Sequence, residues 1–102
     1  MEEKTIQIKG VTIAYTTAGS GTPVLFIHGN TGSKQWFEKV MEIDGLRTIA
    51  PDMPNFGNSG HLDTADIDVY ADYMHDFICD MGLATPLPVV GHSLGGAVAI
   101  SL

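Results

Sequence analysis

One serine near the end of the chain is set in a pattern that could support nucleophilic chemistry. Ser93 follows Gly91 by two residues and precedes Gly95 by two, between an apolar run and a stretch rich in small residues. Gly-x-Ser-x-Gly between a strand and a helix predicts a sharp, strained turn that exposes the serine hydroxyl. Glycine is needed on both sides because a Cβ there would collide with the neighbouring strand or helix. The sequence therefore predicts an exposed serine that could attack an electrophile.

The hydrophobic pattern predicts the elements that position this serine. The continuous apolar run 24–27 is typical of a strand buried on both faces, and hence of a sheet covered by helices. The other predicted elements are a hairpin of strands 5–9 and 11–17, a helix from an N-cap at Ser33 to a stop at Gly45, a strand over 46–50, a helix over 67–81 and a strand over 87–90. Alternating strands and helices predict an α/β fold, with a mostly parallel sheet and helices on both faces.

Three irregular segments are expected to meet at one edge of that sheet. Residues 28–33 follow one predicted strand, the turn-rich segment 51–61 follows the next, and Ser93 follows the last. In open α/β sheets, ligands bind at the carboxyl ends of the strands. We therefore expect the functional site at this edge.

The helix predicted over 67–81 has one apolar face and one acidic face. Its apolar residues recur at steps of three and four. The acidic face carries Asp68, Asp72, Asp76 and Asp80, four residues apart. We interpret these carboxylates as a solvated face rather than a metal-binding stripe. Cys79 falls on the same polar side, where no cation would stabilise its thiolate, so we expect it to be unreactive.

Composition limits the classes of function. The 102 residues, of which 44% are hydrophobic, suffice for one folded domain. The net charge of -7 argues against a nucleic acid or an anionic membrane surface as partner. No apolar stretch approaches the roughly 20 residues of a membrane span, and no cationic leader precedes an apolar core. We therefore expect a cytoplasmic protein without nucleic-acid or membrane partners.

Cofactor chemistry is not expected either. The single cysteine cannot form an internal disulfide, and no spacing of cysteines and histidines fits a metal site. The segment 29–34 follows a strand and opens a helix, as a phosphate-binding loop does. Such a loop needs the order Gly-Lys-Ser/Thr, whereas here Ser33 precedes Lys34. We expect no metal, nucleotide or other cofactor.

These features together resemble the N-terminal part of an α/β-hydrolase fold protein, over nearly the whole chain. The matching parts are the opening hairpin, the apolar strand into His28-Gly29, the loop 52–59 and the stretch Gly91-His92-Ser93-Leu94-Gly95-Gly96. The resemblance implies that Ser93 is the nucleophile of a serine hydrolase. It further implies an oxyanion hole formed by the backbone N–H groups of Asn30 and Leu94. The N-terminus of the following helix would add a favourable field for negative charge.

The resemblance assigns most neighbours of the serine to structural roles. The expected structural residues are His28, Gly29, Gly91, His92 and Gly95. We expect both histidines to fix loops by hydrogen bonding rather than to act in catalysis. Trp36 could line the substrate pocket or pack its helix onto the sheet, and the sequence leaves both open. Asp52 is not assigned to a catalytic triad.

The proton-handling groups of such an enzyme are not found after the serine. In this fold an acid and then a histidine follow the nucleophile in chain order. Residues 94–102 contain neither. We therefore expect residues 1–102 to be the N-terminal part of a single α/β-hydrolase domain, truncated after the nucleophile turn. Without a downstream acid and histidine, from a longer protein or a second chain, we expect no activity.

The expected function is the hydrolysis of a small acyl substrate, in the manner of a carboxylesterase, through an acyl-enzyme. Two alternatives stay open. The same turn would serve thioester, carbon-carbon bond or perhydrolytic chemistry. A non-catalytic binding or interaction module could also retain the fold without the triad.

Overall fold

In the computed structural model, which describes residues 3–29 and 32–102, five strands form one sheet flanked by helices. The strands are β1 (Glu3–Ile8), β2 (Val11–Gly19), β3 (Thr22–Ile27), β4 (Leu46–Pro51) and β5 (Val89–Gly91), and the helices are a 3₁₀ helix (Lys34–Val40), α1 (Ile67–Asp80) and α2 (Leu94–Ser101). The strand order is β1-β2-β4-β3-β5. β3 pairs in parallel with β4 and β5, and the opening hairpin adds the antiparallel pairs β1-β2 and β2-β4. The predicted α/β fold class is confirmed.

The opening hairpin turns at Lys9 and Gly10, as predicted. Both residues have positive φ, 50° and 78°. Two such residues make the tight turn whose twist matches that of paired strands. Ile8 and Val11 face each other across the turn, and Ile8 is fully buried. The hairpin thus closes one side of the core.

β3 separates two apolar layers, one on each face of the sheet. Leu25 and Ile27 belong to the larger core, which packs against α1 and α2. Val24 and Phe26 belong to the smaller core beneath the 3₁₀ helix, where Phe26 meets Phe37 edge to face at 5.0 Å between ring centroids. Alternate residues of one strand are therefore buried on opposite sides, as the continuous apolar run predicts.

α1 supplies more buried residues to the larger core than any other element. The Asp66 carboxylate caps its first turn by accepting from the Val69 N–H at 2.9 Å, and Gly82, with φ 68°, follows its end. Its buried residues are Tyr70, Ala71, Tyr73, Met74 and Phe77. Ile67, which the apolar pattern places in the stripe, is 39% exposed because it lies in the first turn at the rim of the core. Within the ranges 3–29 and 32–102, no helix is both long and apolar enough to cross a membrane.

The helix predicted between Ser33 and Gly45 is shorter than predicted and is not an α-helix. Ser33 is the N-cap, but the helix is 3₁₀ and ends at Val40. Only Phe37 and Met41 of its apolar side chains are buried, whereas Trp36 and Val40 are more than half exposed. An amphipathic helix owes most of its stability to its packed face, and two contacts are too few to propagate an α-helix.

Candidate active site

Ser93 lies in a strained turn between β5 and α2. Its backbone adopts φ 56° and ψ -115°, a region that residues with a side chain rarely occupy. The turn is closed by two backbone hydrogen bonds of 2.9 Å, from the Gly95 N–H to the His92 carbonyl and from the Gly96 N–H to the Ser93 carbonyl. Ser93 is exposed. The geometry is that expected of the Gly-x-Ser-x-Gly pattern.

Both glycines of the pattern lie where a side chain would collide with backbone. A Cβ at Gly91 would lie 2.5 Å from the Gly95 carbonyl oxygen. A Cβ at Gly95 would overlap the Ile27 carbonyl oxygen and lie 2.6 Å from that of His28. The start of α2 therefore passes directly against the ends of β3 and β5. This close approach holds the serine above the sheet.

Pairing of β3 with β5 brings Gly29 next to the serine. The His92 N–H donates to the Ile27 carbonyl at 3.0 Å, and a Cβ at Gly29 would lie 3.3 Å from the Ser93 Cβ and 2.9 Å from the His92 Nδ1. Leu94, the second predicted site residue, is the first residue of α2. Asn30 lies outside the described residues, so its place in an oxyanion hole stays a prediction.

The strain at Ser93 predicts a gain in stability when the residue is replaced by glycine. Glycine adopts positive φ without steric cost, so Ser93→Gly is expected to raise the free energy of unfolding by about 1 kcal/mol, net of the larger entropy that glycine loses on folding. Denaturant titration measures the change in the intact protein, by which we mean residues 1–102 together with any longer chain or second chain that completes the site. The control is Ser20→Gly, because Ser20 is exposed and is not among the residues with positive φ. A loss of stability at both positions would contradict strain at Ser93.

His28 joins the loops that follow β3 and β4. It is fully buried, and its Nε2 accepts from the Met53 N–H at 3.0 Å. A nitrogen that accepts carries no proton, so the proton lies on Nδ1, which donates to the Gly29 carbonyl at 2.8 Å. Both ring nitrogens are therefore engaged with backbone. In this arrangement His28 fixes two loops and has no free nitrogen to act as a base.

Burial lowers the pKa of His28 from its ordinary value of 6.5, and the ammonium of Lys34 lowers it further. The hydrogen bond to Gly29 and the charge of Asp52 oppose this shift without reversing it. His28 thus takes up a second proton less readily in the folded protein than in the unfolded chain. The contribution of His28 to the free energy of unfolding is therefore fully present above pH 6.5 and is lost as the pH falls through the pKa of the folded state.

The pH dependence of stability checks this assignment. As the pH is lowered from 7.5 to 5, the Tm of the intact protein is expected to fall more steeply than that of His28→Gln, which cannot titrate there. His61→Gln is the control, since His61 is exposed. If the wild-type and His28→Gln curves ran parallel, His28 would not be the titrating group.

Trp36 lies beside the serine turn rather than in the core. Its ring stacks on that of His92 with 5.0 Å between centroids and 31° between planes. The indole is 61% exposed. Phe37, the next residue, packs onto the sheet instead. Trp36 and His92 thus form an aromatic surface flanking Ser93.

A buried ion pair next to the site was not predicted from the sequence. The Nζ of Lys34 lies 2.6 Å from an Asp52 oxygen, and neither residue is more than 2% exposed. Lysine is rarely buried completely, and nothing in the local pattern distinguishes Lys34 from a surface residue. The available signal was Asp52 itself, which directly follows a buried strand.

Comparison with known proteins agrees with the fold. The family model of the alpha/beta hydrolase fold matches residues 22–102. Lipase 3 of Moraxella sp. strain TA144 is 38% identical over 85 residues, which cover 80% of this chain and 27% of the lipase. A haloalkane dehalogenase of Sphingobium indicum is 36% identical over 104 residues, which cover 95% of this chain and 35% of the dehalogenase.

A solved structure extends the agreement to three dimensions. The N-acyl homoserine lactonase AidH, complexed with N-butanoyl homoserine, superposes with a TM-score of 0.90 at 31% identity, covering 99% of this chain and 39% of the lactonase. The chain spans about a third of the length of the curated relatives it matches. With the family model covering most of the sequence, and with hydrolases among its relatives, the chain belongs to the α/β-hydrolase fold family.

Proposed function

We propose that Ser93 is the nucleophile of a serine hydrolase that cleaves carboxylic esters through an acyl-enzyme. The observation that carries the proposal is the exposed serine at φ 56°, ψ -115° in the turn between β5 and α2. A backbone held in such a conformation requires support from the surrounding structure, and this kind of strain is concentrated at functional sites. The turn also starts a helix, whose N-terminus favours developing negative charge.

The proposed reaction proceeds in two steps. The Ser93 Oγ attacks the ester carbonyl carbon while its proton passes to a general base. The tetrahedral intermediate then breaks its bond to the leaving oxygen, which takes up that proton and departs as the alcohol, leaving an acyl group on Ser93. Water then attacks the acyl carbonyl and releases the acid. The N–H groups of Leu94 and Asn30 would stabilise the oxyanion, each by about 3 kcal/mol. A histidine and an acid elsewhere in the protein, or in a second chain, would complete the site.

The identity of the nucleophile favours acyl substrates over the other substrates named among the relatives. Displacement of a halide by a serine oxygen would leave an ether, which has no carbonyl for water to attack. An acyl group on serine is an ester, which water can cleave. The names of the lipase and of the lactonase refer to ester bonds, since a lactone is a cyclic ester. These similarities support esters as the substrate class.

Labelling with a fluorophosphonate tests the proposal. The intact protein is expected to acquire one phosphonyl group, located on Ser93 by mass spectrometry of the peptide. Ser101→Ala is the control, because Ser101 is an exposed serine on the same helix, and it should label normally. If Ser93 stayed unlabelled in the intact protein, including any chain that copurifies with it, a non-catalytic binding module would be the better interpretation.

We also propose that Trp36 contacts the acyl group of the substrate. An exposed indole next to the nucleophile offers apolar surface, and aromatic contacts contribute about 0.5–1.5 kcal/mol. Trp36→Ala is therefore expected to raise KM for a benzoate ester about threefold to tenfold, with kcat and the KM for an acetate ester little changed. Val40→Ala, on the exposed side of the same 3₁₀ helix, is the control. Equal effects on the two esters would place the acyl group elsewhere.

A further inference from the structure

The ring of His92 connects the serine turn to the 3₁₀ helix. It stacks on the Trp36 indole with 5.0 Å between the ring centroids and 31° between the planes. Aromatic pairs attract each other at centroid separations of about 4.5–7 Å, provided that the rings are offset or tilted. His92 and Trp36 are therefore in stacking contact, although they are distant in sequence.

The backbone of His92 is held on both sides. Its N–H donates to the Ile27 carbonyl at 3.0 Å, which ties it to the end of β3, and its carbonyl accepts from the Gly95 N–H at 2.9 Å, which ties it to α2. Its ring lies against Gly29, where an added Cβ would come within 2.9 Å of the His92 Nδ1. These contacts belong to the same turn that strains Ser93. The imidazole thus has a fixed place relative to the proposed nucleophile.

The Trp36 indole projects from a fixed backbone. The Trp36 N–H donates to the Ser33 carbonyl at 2.9 Å, and Phe37, the next residue, packs edge to face on Phe26. Trp36 itself is 61% exposed. Exposed side chains exchange rotamers within picoseconds to nanoseconds. Contact with the fixed ring of His92 favours one of these rotamers over the others.

A restrained indole binds an apolar group more tightly than a mobile one. A side chain that becomes ordered only when the ligand binds loses its rotamer freedom at that moment, and this loss weakens binding. A side chain already held in its binding position avoids the loss. One face of the indole lies against His92, and the high exposure of Trp36 leaves the opposite face accessible. A flat aromatic acyl group can cover that face, whereas an acetyl group offers one methyl.

We propose that His92 is a positioning residue, which holds the indole of Trp36 beside Ser93 and so makes the site selective for esters of aromatic acids. The proposal rests on the proposed function, because selectivity of this kind requires an acyl group transferred to Ser93. In this role the imidazole acts through its aromatic face rather than through its nitrogens. The role therefore differs from the fixing of loops by hydrogen bonds, which the sequence leads us to expect of His92.

Kinetics on two esters test the selectivity in the intact protein. The measured quantity is the KM for a benzoate ester divided by the KM for the acetate ester of the same alcohol, so that effects common to both substrates cancel. His92→Ala and His92→Gln are each expected to raise this ratio about threefold. His92→Phe keeps an aromatic face and should stay within a factor of about 1.5 of wild type. His75→Ala, at an exposed histidine of α1, is the control and should leave the ratio unchanged.

The placement of the indole is measured without turnover. Trp36 is the single tryptophan of the 102 residues. Its signal in the intact protein is the difference between each variant and the same variant carrying Trp36→Phe. Time-resolved fluorescence anisotropy is expected to show a nanosecond rotation of the indole in His92→Ala and His92→Gln that is absent from His92→Phe and from wild type. Thermal melts establish that each variant is folded.

The outcomes separate this inference from the proposed function. Indole motion in His92→Ala and His92→Gln equal to that in wild type would overturn the positioning role, as would rescue of the KM ratio by glutamine but not by phenylalanine. So would a rise in the ratio that His92→Ala causes equally with and without Trp36→Ala, since the effect would then not pass through the indole. If the unsubstituted protein cleaved neither ester, the proposed function and the selectivity would fail together, and the anisotropy would decide whether His92 holds Trp36.

Discussion

Replacing Ser93 with alanine is expected to lower the turnover of a chromogenic short-chain ester by the intact protein about a millionfold. In the proposed mechanism the hydroxyl forms the covalent bond to the acyl group, so no other part of the site could replace it. Only substrate binding and oxyanion stabilisation would remain, and those alone give a small residual rate above that of water. The KM of the residual activity should change little. The measurement is release of the chromophore at saturating ester.

A second serine provides the matched control for this experiment. Ser20 is also exposed, but it lies between β2 and β3, at the opposite end of the sheet from Ser93. Ser20→Ala should retain full turnover. If Ser93→Ala retained it as well, catalysis would occur elsewhere in the protein, and the strained turn would serve another purpose.

Replacing Gly95 with alanine is expected to destabilise the protein by about 3 kcal/mol or more, and to abolish labelling of Ser93. The new methyl group would overlap the carbonyl oxygen of Ile27, which is backbone and cannot rotate away. Accommodating it requires α2 to move off the end of β3, which would release the strained turn. Denaturant titration and labelling of the same sample measure both effects.

The neighbouring residue, Gly96, provides a matched control for Gly95→Ala. At Gly96 the nearest atom to an added Cβ is the Gly91 carbonyl oxygen, at 3.6 Å, which is ordinary contact. Gly96→Ala is therefore expected to stabilise α2 by up to about 1 kcal/mol, the difference in helix propensity between the two residues. Two adjacent substitutions of the same kind should thus act in opposite directions. If the two substitutions changed the free energy of unfolding equally, the steric overlap at Gly95 would not be the cause of the change.

The parts of the fold with a strong local signal were predicted correctly. α1 has a long apolar stripe, a capping Asp66 and a terminating Gly82, and its observed bounds differ little from those predicted. The turn at Ser93 was predicted because glycines on both sides have a steric cause that holds in any fold with this strand-to-helix connection. In both cases the information lies within a few residues of the feature.

The features that were missed depend on contacts between distant parts of the chain. The helix after Ser33 was predicted too long, because its apolar pattern does not show that Trp36 and Val40 would stay more than half exposed instead of packing onto the sheet. The pair of Lys34 with Asp52 joins residues 18 positions apart and breaks the rule that lysine stays in water. Only the arrangement of the two loops shows that a buried carboxylate would meet this ammonium.

The pairing of β5 with β3 has a consequence for the chemistry of Ser93. β5 has three residues and pairs with β3 from Val89 to Gly91. The strained serine therefore depends on a short seam that joins segments more than sixty residues apart in sequence. If that seam opened while the rest of the sheet stayed intact, the turn would relax and the hydroxyl would become an ordinary alcohol. We therefore expect the reactivity proposed for Ser93 to report local opening of the β3–β5 pairing before the molecule as a whole unfolds.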